Sequence, residues 1–203
     1  MVPTSLQFQT KDGGDIANET GIGMLSMAKL QQMGESANRG LLEAMQRRAT
    51  ATAGTFKPQD IANVLWALAT MRERADRAVL VALQRRAVAT AGKFKPQNVA
   101  SVLWALATMG ERADRGMLEA MQGRATVTAD KFQPQDIANV LWALATMGER
   151  AGRGLLEAMQ WRIATTRLGF KPQEATDVRW ALSSMGEELK VVTSLSHRAS
   201  LGR

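Results

Sequence analysis

The sequence contains no cysteine and only one histidine, and these shortages exclude several kinds of chemistry. The absence of cysteine from the 203 residues removes disulfides and thiolate metal sites. The one histidine, His197, lies near the C-terminal end, where we expect a surface position. No Ser/His/Asp set can be assembled in the repeated part of the chain, and no glycine-rich loop follows a predicted strand. We therefore predict a protein that is not an enzyme, with no catalytic residues, no metal site, no cofactor and no small-molecule substrate.

Long apolar runs are also missing. The longest mostly apolar run, from Ile61 to Met71, is far shorter than the ~20 residues that a membrane-spanning helix needs. The first fifteen residues hold one Lys, no Arg and two Asp, and no apolar stretch follows a basic one, so neither a secretory signal nor a transit peptide is evident. We expect no membrane partner, and either the protein stays where it is made or this chain is part of a longer one.

What the sequence does contain is an internal repeat. The block at 56–59, Phe-Lys-Pro-Gln, returns at 94–97, 132–135 (with Gln in place of Lys) and 170–173, always 38 residues further on. Four tryptophans recur in the same register: Trp66, Trp104, Trp142 and Trp180. A fixed period of this size is typical of helical repeat arrays. The sequence therefore predicts an all-α fold, an α-solenoid of stacked antiparallel helix pairs, which is usually a binding surface rather than a catalyst.

The repeat also sets the domain boundaries that we predict. Residues 1–21 are expected to be a disordered N-terminal segment, and residues 196–203 a tail. The array between them has a degenerate unit at 22–55, full units at 56–93, 94–131 and 132–169, and a partial capping unit at 170–195.

Each full unit is predicted to hold two helices joined by a short turn. In the second full unit, Pro96 suits the first turn of the first helix, and Gly110 is expected to end that helix in the left-handed conformation. The first full unit has Arg72 in place of this glycine, so its helix should end less sharply. The second helix is expected to start near Asp114, a favoured N-cap residue, and to end at Asp130. Neither helix can bury its apolar stripe alone, so neighbouring units must stack.

The chain carries an excess of positive charge. Its net charge is +7 and its pI is about 10.4. The excess is uneven, because residues 56–93 contribute +4 while 94–131 and 132–169 contribute +1 each. An acidic partner is favoured, with RNA, DNA, an anionic membrane and an acidic protein all admissible. A solvated surface that keeps the protein soluble explains the excess equally well.

The first helix of each unit resembles a known kind of repeat. Residues 56–71, FKPQDIANVLWALATM, and their copies resemble the octotricopeptide repeat family. They are also similar to the related repeats of FAST-kinase-like, RAP-domain and RNA-editing substrate-binding proteins. The resemblance covers roughly residues 22–195, and the period differs from those of tetratricopeptide and ankyrin units. It implies an α-solenoid that acts on RNA in an organelle, a mitochondrion or a chloroplast, in processing, stability, editing or translation.

The polar side of the first helices supplies the candidate base-reading residues. On a helical wheel, two repeated positions on this side hold amide, hydroxyl or carboxylate groups, with the tryptophan at the border. Modular RNA solenoids read about one base per repeat with two or three side chains. We hypothesise that eight residues line a concave RNA track: Gln59, Asn63, Gln97, Ser101, Gln135, Asn139, Gln173 and Asp177. A solvated helix face that tolerates small polar residues is the open alternative.

Aromatic and basic residues recur as well. The four tryptophans could stack on bases, but their place among Ala and Leu favours a structural role in packing between adjacent helices. Recurring cations before the first helices (Lys57, Lys95, Lys171) and at the start of the second helices (Arg77, Arg115, Arg153) could follow the phosphates. Solubilising loop charges explain these cations equally well.

These observations favour a single-stranded RNA-binding helical repeat protein in organellar RNA metabolism. Two alternatives stay open: a protein–protein interaction scaffold of the same architecture, and a fragment of a larger repeat protein. RNA binding should weaken steeply between about 50 and 200 mM salt, whereas a largely apolar protein contact should not.

Overall fold

In the computed structural model, residues 39–165 and 169–188 are described, and they form eight α-helices without a strand. In chain order the helices are α1 (Arg39–Thr52), α2 (Pro58–Thr70), α3 (Arg77–Ala89), α4 (Pro96–Met109), α5 (Arg115–Val127), α6 (Pro134–Thr146), α7 (Arg153–Thr165) and α8 (Pro172–Ser184). The predicted all-α fold is confirmed. The predicted disordered segment 1–21 and tail 196–203 lie outside the described residues.

Each repeat is a pair of antiparallel helices. The carbonyl oxygen of Phe56, just before α2, accepts a hydrogen bond of 2.7 Å from Nε of Arg86, in the last turn of α3. Phe94 and Arg124 form the same bond at 2.7 Å in the next unit. Because the end of the second helix therefore lies beside the start of the first, the two helices run in opposite directions. The predicted stack of helix pairs is confirmed, with α2–α3, α4–α5 and α6–α7 as the complete pairs.

The helices stack in two layers. The first layer contains α2, α4, α6 and α8, and the second contains α1, α3, α5 and α7. Contact between neighbouring helices is much closer in the first layer than in the second. Leu65, Leu103 and Leu141 are buried at equivalent positions of the first layer, and Phe94 and Phe132 of the repeated block are buried as well. Each unit thus covers the apolar surface of its neighbours, as in other solenoids.

The ends of the first-layer helices follow from local chemistry. Pro96 occupies the first position of α4, and the backbone N–H of Lys57 donates to the Asp60 carboxylate at 2.8 Å, which caps α2. At the other end, Gly110 adopts the predicted left-handed conformation with φ of 69°. The N–H of Glu111 then bonds back to the carbonyl of Leu106 at 2.9 Å, which completes a Schellman motif.

Arg72 occupies the same left-handed position in the first unit. Its φ is 58°, although it carries a Cβ. The following Glu73 still donates to the carbonyl of Leu68 at 3.0 Å. The helix therefore ends in the same way as α4, and the expected weaker stop appears as backbone strain rather than as a longer helix.

The second-layer helices end earlier than the sequence predicts. The helix α5 ends at Val127, and Asp130 lies in a short 3₁₀ turn, Ala129–Lys131. The side-chain hydroxyl of Thr128 donates to the carbonyl of Arg124 at 2.8 Å. This bond uses an acceptor at the end of the helix, and a threonine at that position favours termination over continuation. The same arrangement recurs before Phe56 and Phe94, in the turns Ala53–Thr55 and Ala91–Lys93.

Candidate nucleic-acid interface

The candidate base-reading residues lie along one accessible stripe of each first-layer helix. On α2 this stripe runs through Gln59, Asn63, Trp66 and Thr70, which are spaced so that they share a face. Gln59 is exposed and the other three are half-buried. The tryptophan therefore belongs to the same surface as the polar residues, rather than to its border.

The glutamines form the most accessible row of this stripe. Gln59, Gln97 and Gln173 are exposed and Gln135 is half-buried. Each glutamine is the second residue of its helix, so the row lies along the ends of the four first-layer helices. An amide group offers both hydrogen-bond donors and an acceptor. The structure thus presents one such group per unit.

The second polar row is more enclosed. Asn63 and Asp177 are half-buried, but Ser101 is only 1% exposed and Asn139 only 6% exposed. The Ser101 hydroxyl donates to the carbonyl of Gln97 at 2.8 Å, and the Asn139 side-chain nitrogen has no hydrogen-bond partner among the described residues. The two buried members are in the inner units, where first-layer helices lie on both sides. In this conformation neither side chain faces an open track.

The tryptophans differ in exposure along the array. Trp104 is 7% exposed, and Trp66 and Trp142 pack partly buried against the core. Trp180, on the last described helix, is 47% exposed. The inner tryptophans therefore contribute to packing, and Trp180 also offers an aromatic surface to solvent.

The two series of cations lie at opposite ends of the helices. Lys57, Lys95 and Lys171 precede first-layer helices, whereas Arg77, Arg115 and Arg153 begin second-layer helices. Because the paired helices are antiparallel and about 13 residues long at 1.5 Å per residue, the two series are separated by about 20 Å. They do not follow one groove together. All six side chains belong to exposed residues.

We name the two ends of the helices by these series. The lower rim is the end with the lysine series, and it comprises residues 47–60, 85–98, 123–136, 161–165 and 169–174. The upper rim is the end with the arginine series, and it comprises residues 40–42, 67–80, 105–118, 143–156 and 181–188.

A comparison with protein families identifies the kind of repeat. The family model described as RNA-editing substrate-binding complex 6 protein matches residues 24–152, which is more than half of the chain. The chain belongs to this family. Among the families that the repeat resembles, the RNA-editing substrate-binding group is thus the one matched, and the octotricopeptide assignment stays a resemblance. No curated protein gives a significant match.

Members of the RNA-editing substrate-binding complex 6 family are therefore related to this chain through the part that contains α1 to α6. The match ends at residue 152, just before α7 begins at Arg153. It includes two complete helix pairs and the first three helices of the first layer. Two of the candidate base-reading residues, Gln173 and Asp177, lie beyond the matched region.

A glutamine series that the sequence reasoning missed joins neighbouring units. The backbone N–H of Asp76 donates to the side-chain oxygen of Gln46 at 2.6 Å, and that of Asp114 donates to Gln84 at 2.6 Å. Gln122 accepts in the same way from Gly152 at 2.7 Å. Each bond ties a second-layer helix to the start of the next one. Their 38-residue spacing was visible in the sequence, but the partner, 30 residues further on, was not.

One carboxylate at the lower rim has perturbed chemistry. Asp136, at the start of α6, is buried, and this desolvation raises its pKa from 3.8 to about 6. The hydrogen bond from the N–H of Gln133, at 3.2 Å, opposes the increase, and the negative charge of Glu174 adds to it. The Asp136 carboxyl group that caps α6 is thus half-protonated at about pH 6.

The described residues hold neither a metal cluster nor a membrane-spanning helix. Residues 39–165 and 169–188 contain no group of three or more His, Cys, Asp or Glu side chains placed to hold a metal ion. None of the helices in these segments combines the length and apolar character needed to cross a bilayer.

Proposed function

We propose that this member of the RNA-editing substrate-binding complex 6 family binds single-stranded RNA and acts in organellar RNA metabolism, with editing as the first process to examine. The observation that carries the proposal is the family match over residues 24–152. The chain would act by binding rather than by catalysis, and without a cofactor.

The glutamine row supports this proposal. One amide per unit, at Gln59, Gln97, Gln135 and Gln173, suits a solenoid that reads about one base per repeat. The middle of α2, α4 and α6 is free of charge, since residues 61–66, 99–104 and 137–142 contain no Lys, Arg, Asp or Glu, whereas α8 carries Asp177 and Arg179. Such a surface suits base edges and base faces rather than phosphates. Because the three full units are nearly identical, we expect weak discrimination between sequences and modest affinity.

A protein-interaction scaffold is a second candidate, and the second layer supplies the observation for it. Large apolar side chains that are exposed in the described segments are concentrated there: Leu41, Val81, Val88, Val127 and Trp161. Exposed apolar surface of this kind is common at protein contacts. The two functions are compatible, since RNA and protein would occupy different layers.

Binding of short homopolymer RNAs tests the proposed function. We expect the chain to bind single strands at about 50 mM salt and to lose most of this affinity by about 200 mM, because phosphate contacts release counterions. The fourfold change Gln59→Ala, Gln97→Ala, Gln135→Ala and Gln173→Ala should weaken binding without changing its salt dependence, since the amides contact bases. Fluorescence anisotropy measures both quantities, with duplex RNA as the control ligand. Failure to bind any single strand at low salt would leave the scaffold as the function.

A further inference from the structure

The excess positive charge of the described residues is concentrated at the lower rim. That rim carries eleven Lys and Arg against four Asp and Glu, whereas the upper rim carries seven against seven. The paired helices are antiparallel, so their macrodipoles oppose one another at each rim and do not create this difference. The asymmetry therefore comes from the side chains.

Several cations of the lower rim are held in place. Arg86 and Arg124 use Nε to donate to the carbonyls of Phe56 and Phe94, each at 2.7 Å. A guanidinium has five N–H donors, so this bond fixes the side chain without using all of its donors. Each of these arginines lies beside the turn that leads into a first-layer helix. They flank the lysine series rather than the arginine series.

The arginine series of the upper rim is largely balanced by acids. Arg115 and Arg153 form ion pairs with Glu119 and Glu157, four residues further along their helices, with Nε to Oε1 distances of 2.9 Å. Both arginine side chains are highly exposed, so these pairs add little stability. They do reduce the positive field that a phosphate would meet at this rim.

The lower rim also contains the glutamine row. Gln59 follows Lys57 by two residues, and Gln97 follows Lys95 in the same way, so each pair lies at the start of one first-layer helix. One helical turn rises about 5.4 Å. A base at the glutamine and a phosphate at the lysine are thus separated by a distance that one nucleotide can span. The upper-rim arginines lie about 20 Å from the same glutamines.

We propose that the phosphate backbone of bound RNA runs along the lower rim, over Lys57, Lys95 and Lys171, and that Arg77, Arg115 and Arg153 take no part. The bases then point toward the first turns of α2, α4, α6 and α8. This inference rests on the proposed RNA binding. It divides the six predicted phosphate contacts into three that bind RNA and three that do not.

Two matched triple variants test the inference. One carries Lys57→Gln, Lys95→Gln and Lys171→Gln, and the other carries Arg77→Gln, Arg115→Gln and Arg153→Gln, so each removes three positive charges. Glutamine already occupies the lysine position in the third full unit, at Gln133. The capping bonds at Lys57 and Lys171 use the backbone N–H of the lysine and not its side chain. The first variant should therefore keep its helices. Circular dichroism verifies that both variants are folded.

The salt dependence of RNA affinity distinguishes the two rims. Each phosphate contact to a single strand contributes about 0.7 to the slope of log K against log salt concentration. The lysine variant should lose about 2 from that slope and bind at least about tenfold more weakly at 50 mM salt, while the arginine variant keeps the original slope. Equal losses of slope in both variants, or no loss in the lysine variant, would overturn this inference but not the proposed RNA binding. No RNA binding by the unaltered chain would overturn the proposed function, and the inference with it.

Discussion

At the scale of single residues, Asp136 combines a capping role with an unfavourable environment. Its buried carboxylate accepts a hydrogen bond from the N–H of Gln133 at 3.2 Å, yet its pKa is raised to about 6. The folded state therefore holds this proton more tightly than the unfolded state, where the pKa has the ordinary value of 3.8. Protonation contributes stability that is fully present below about pH 4 and is lost as the pH rises through about 6.

The substitution Asp136→Asn removes this cost of ionisation. Asparagine is native at the equivalent position, Asn98, where it accepts from the N–H of Lys95 at 3.4 Å. We expect the variant to be more stable than the unaltered chain at pH 7.5, by at most about 3 kcal/mol, since each pKa unit corresponds to about 1.4 kcal/mol. This difference in stability between the variant and the unaltered chain should disappear as the pH falls toward about 4. Urea unfolding across this pH range measures it.

The same substitution at Asp60 is the matched control for that experiment. Asp60 caps α2 through the same type of bond, at 2.8 Å, but it is only half-buried. Its replacement should therefore change the free energy of unfolding at pH 7.5 much less. A stability difference for Asp136→Asn that stays constant from pH 4 to 7.5 would show that ionisation is not its source.

Residue roles could be predicted from the sequence where the cause is local. Gly110 was assigned its left-handed conformation because a helix end alone requires it, and φ of 69° confirms the assignment. The burial of Ser101 and Asn139 could not be predicted, because it depends on helices 38 residues away on either side. A helical wheel treats one helix at a time and gives all four units the same face.

At the scale of helices and turns, the glutamine bonds between second-layer helices compensate for sparse packing. Gln84 is 6% exposed, and its side-chain oxygen accepts from the N–H at the start of α5. The first four N–H groups of a helix need partners from outside that helix. One unit thus supplies a cap for the next, which the sequence of either unit alone does not reveal.

The substitution Gln84→Ala should measure how much this hydrogen bond contributes to stability. It removes the acceptor of the partly buried bond from the Asp114 N–H, so we expect a loss of about 1–3 kcal/mol in the free energy of unfolding. Gln122→Ala removes the equivalent bond to Gly152 in a more exposed setting, where water can replace the acceptor, and should cost less. Urea denaturation measures both losses. Equal losses would mean that burial of the hydrogen bond does not set the cost.

At the scale of the whole molecule, the array is a chain of interchangeable units. Each unit contacts its neighbours through the same positions, so overall stability is approximately a sum of units and interfaces. The period and the stacking were predictable, because they follow from a repeated apolar pattern. The division of charge between the rims was not predicted, because the lysine and arginine series were compared by sequence position rather than by the end of the helix that they occupy.

Removal of residues 94–131 tests this modularity. The deletion joins Lys93 to Phe132, in the register that Lys93 and Phe94 have now, and α2 and α3 meet α6 and α7. We expect a folded chain with unchanged helix content per residue. Its urea m-value should fall by about a quarter, because two of the eight described helices are lost.

Deletion of α4 alone is the control for that experiment. It leaves a second-layer helix without its antiparallel partner, so cooperative unfolding should be lost. A chain that lacks residues 94–131 and behaves in the same way would contradict the independence of the units.

The short reach of the bonds between units has a consequence during synthesis. The side-chain hydrogen bonds that join neighbouring units link positions 28 to 34 residues apart, so their partners leave the ribosome close together in time. Folding is fast when contacts are close in the chain, and domains generally fold from the N-terminal side as they are made. Each new hairpin therefore meets a docking surface that already exists, and only one hairpin at a time waits with its apolar side uncovered.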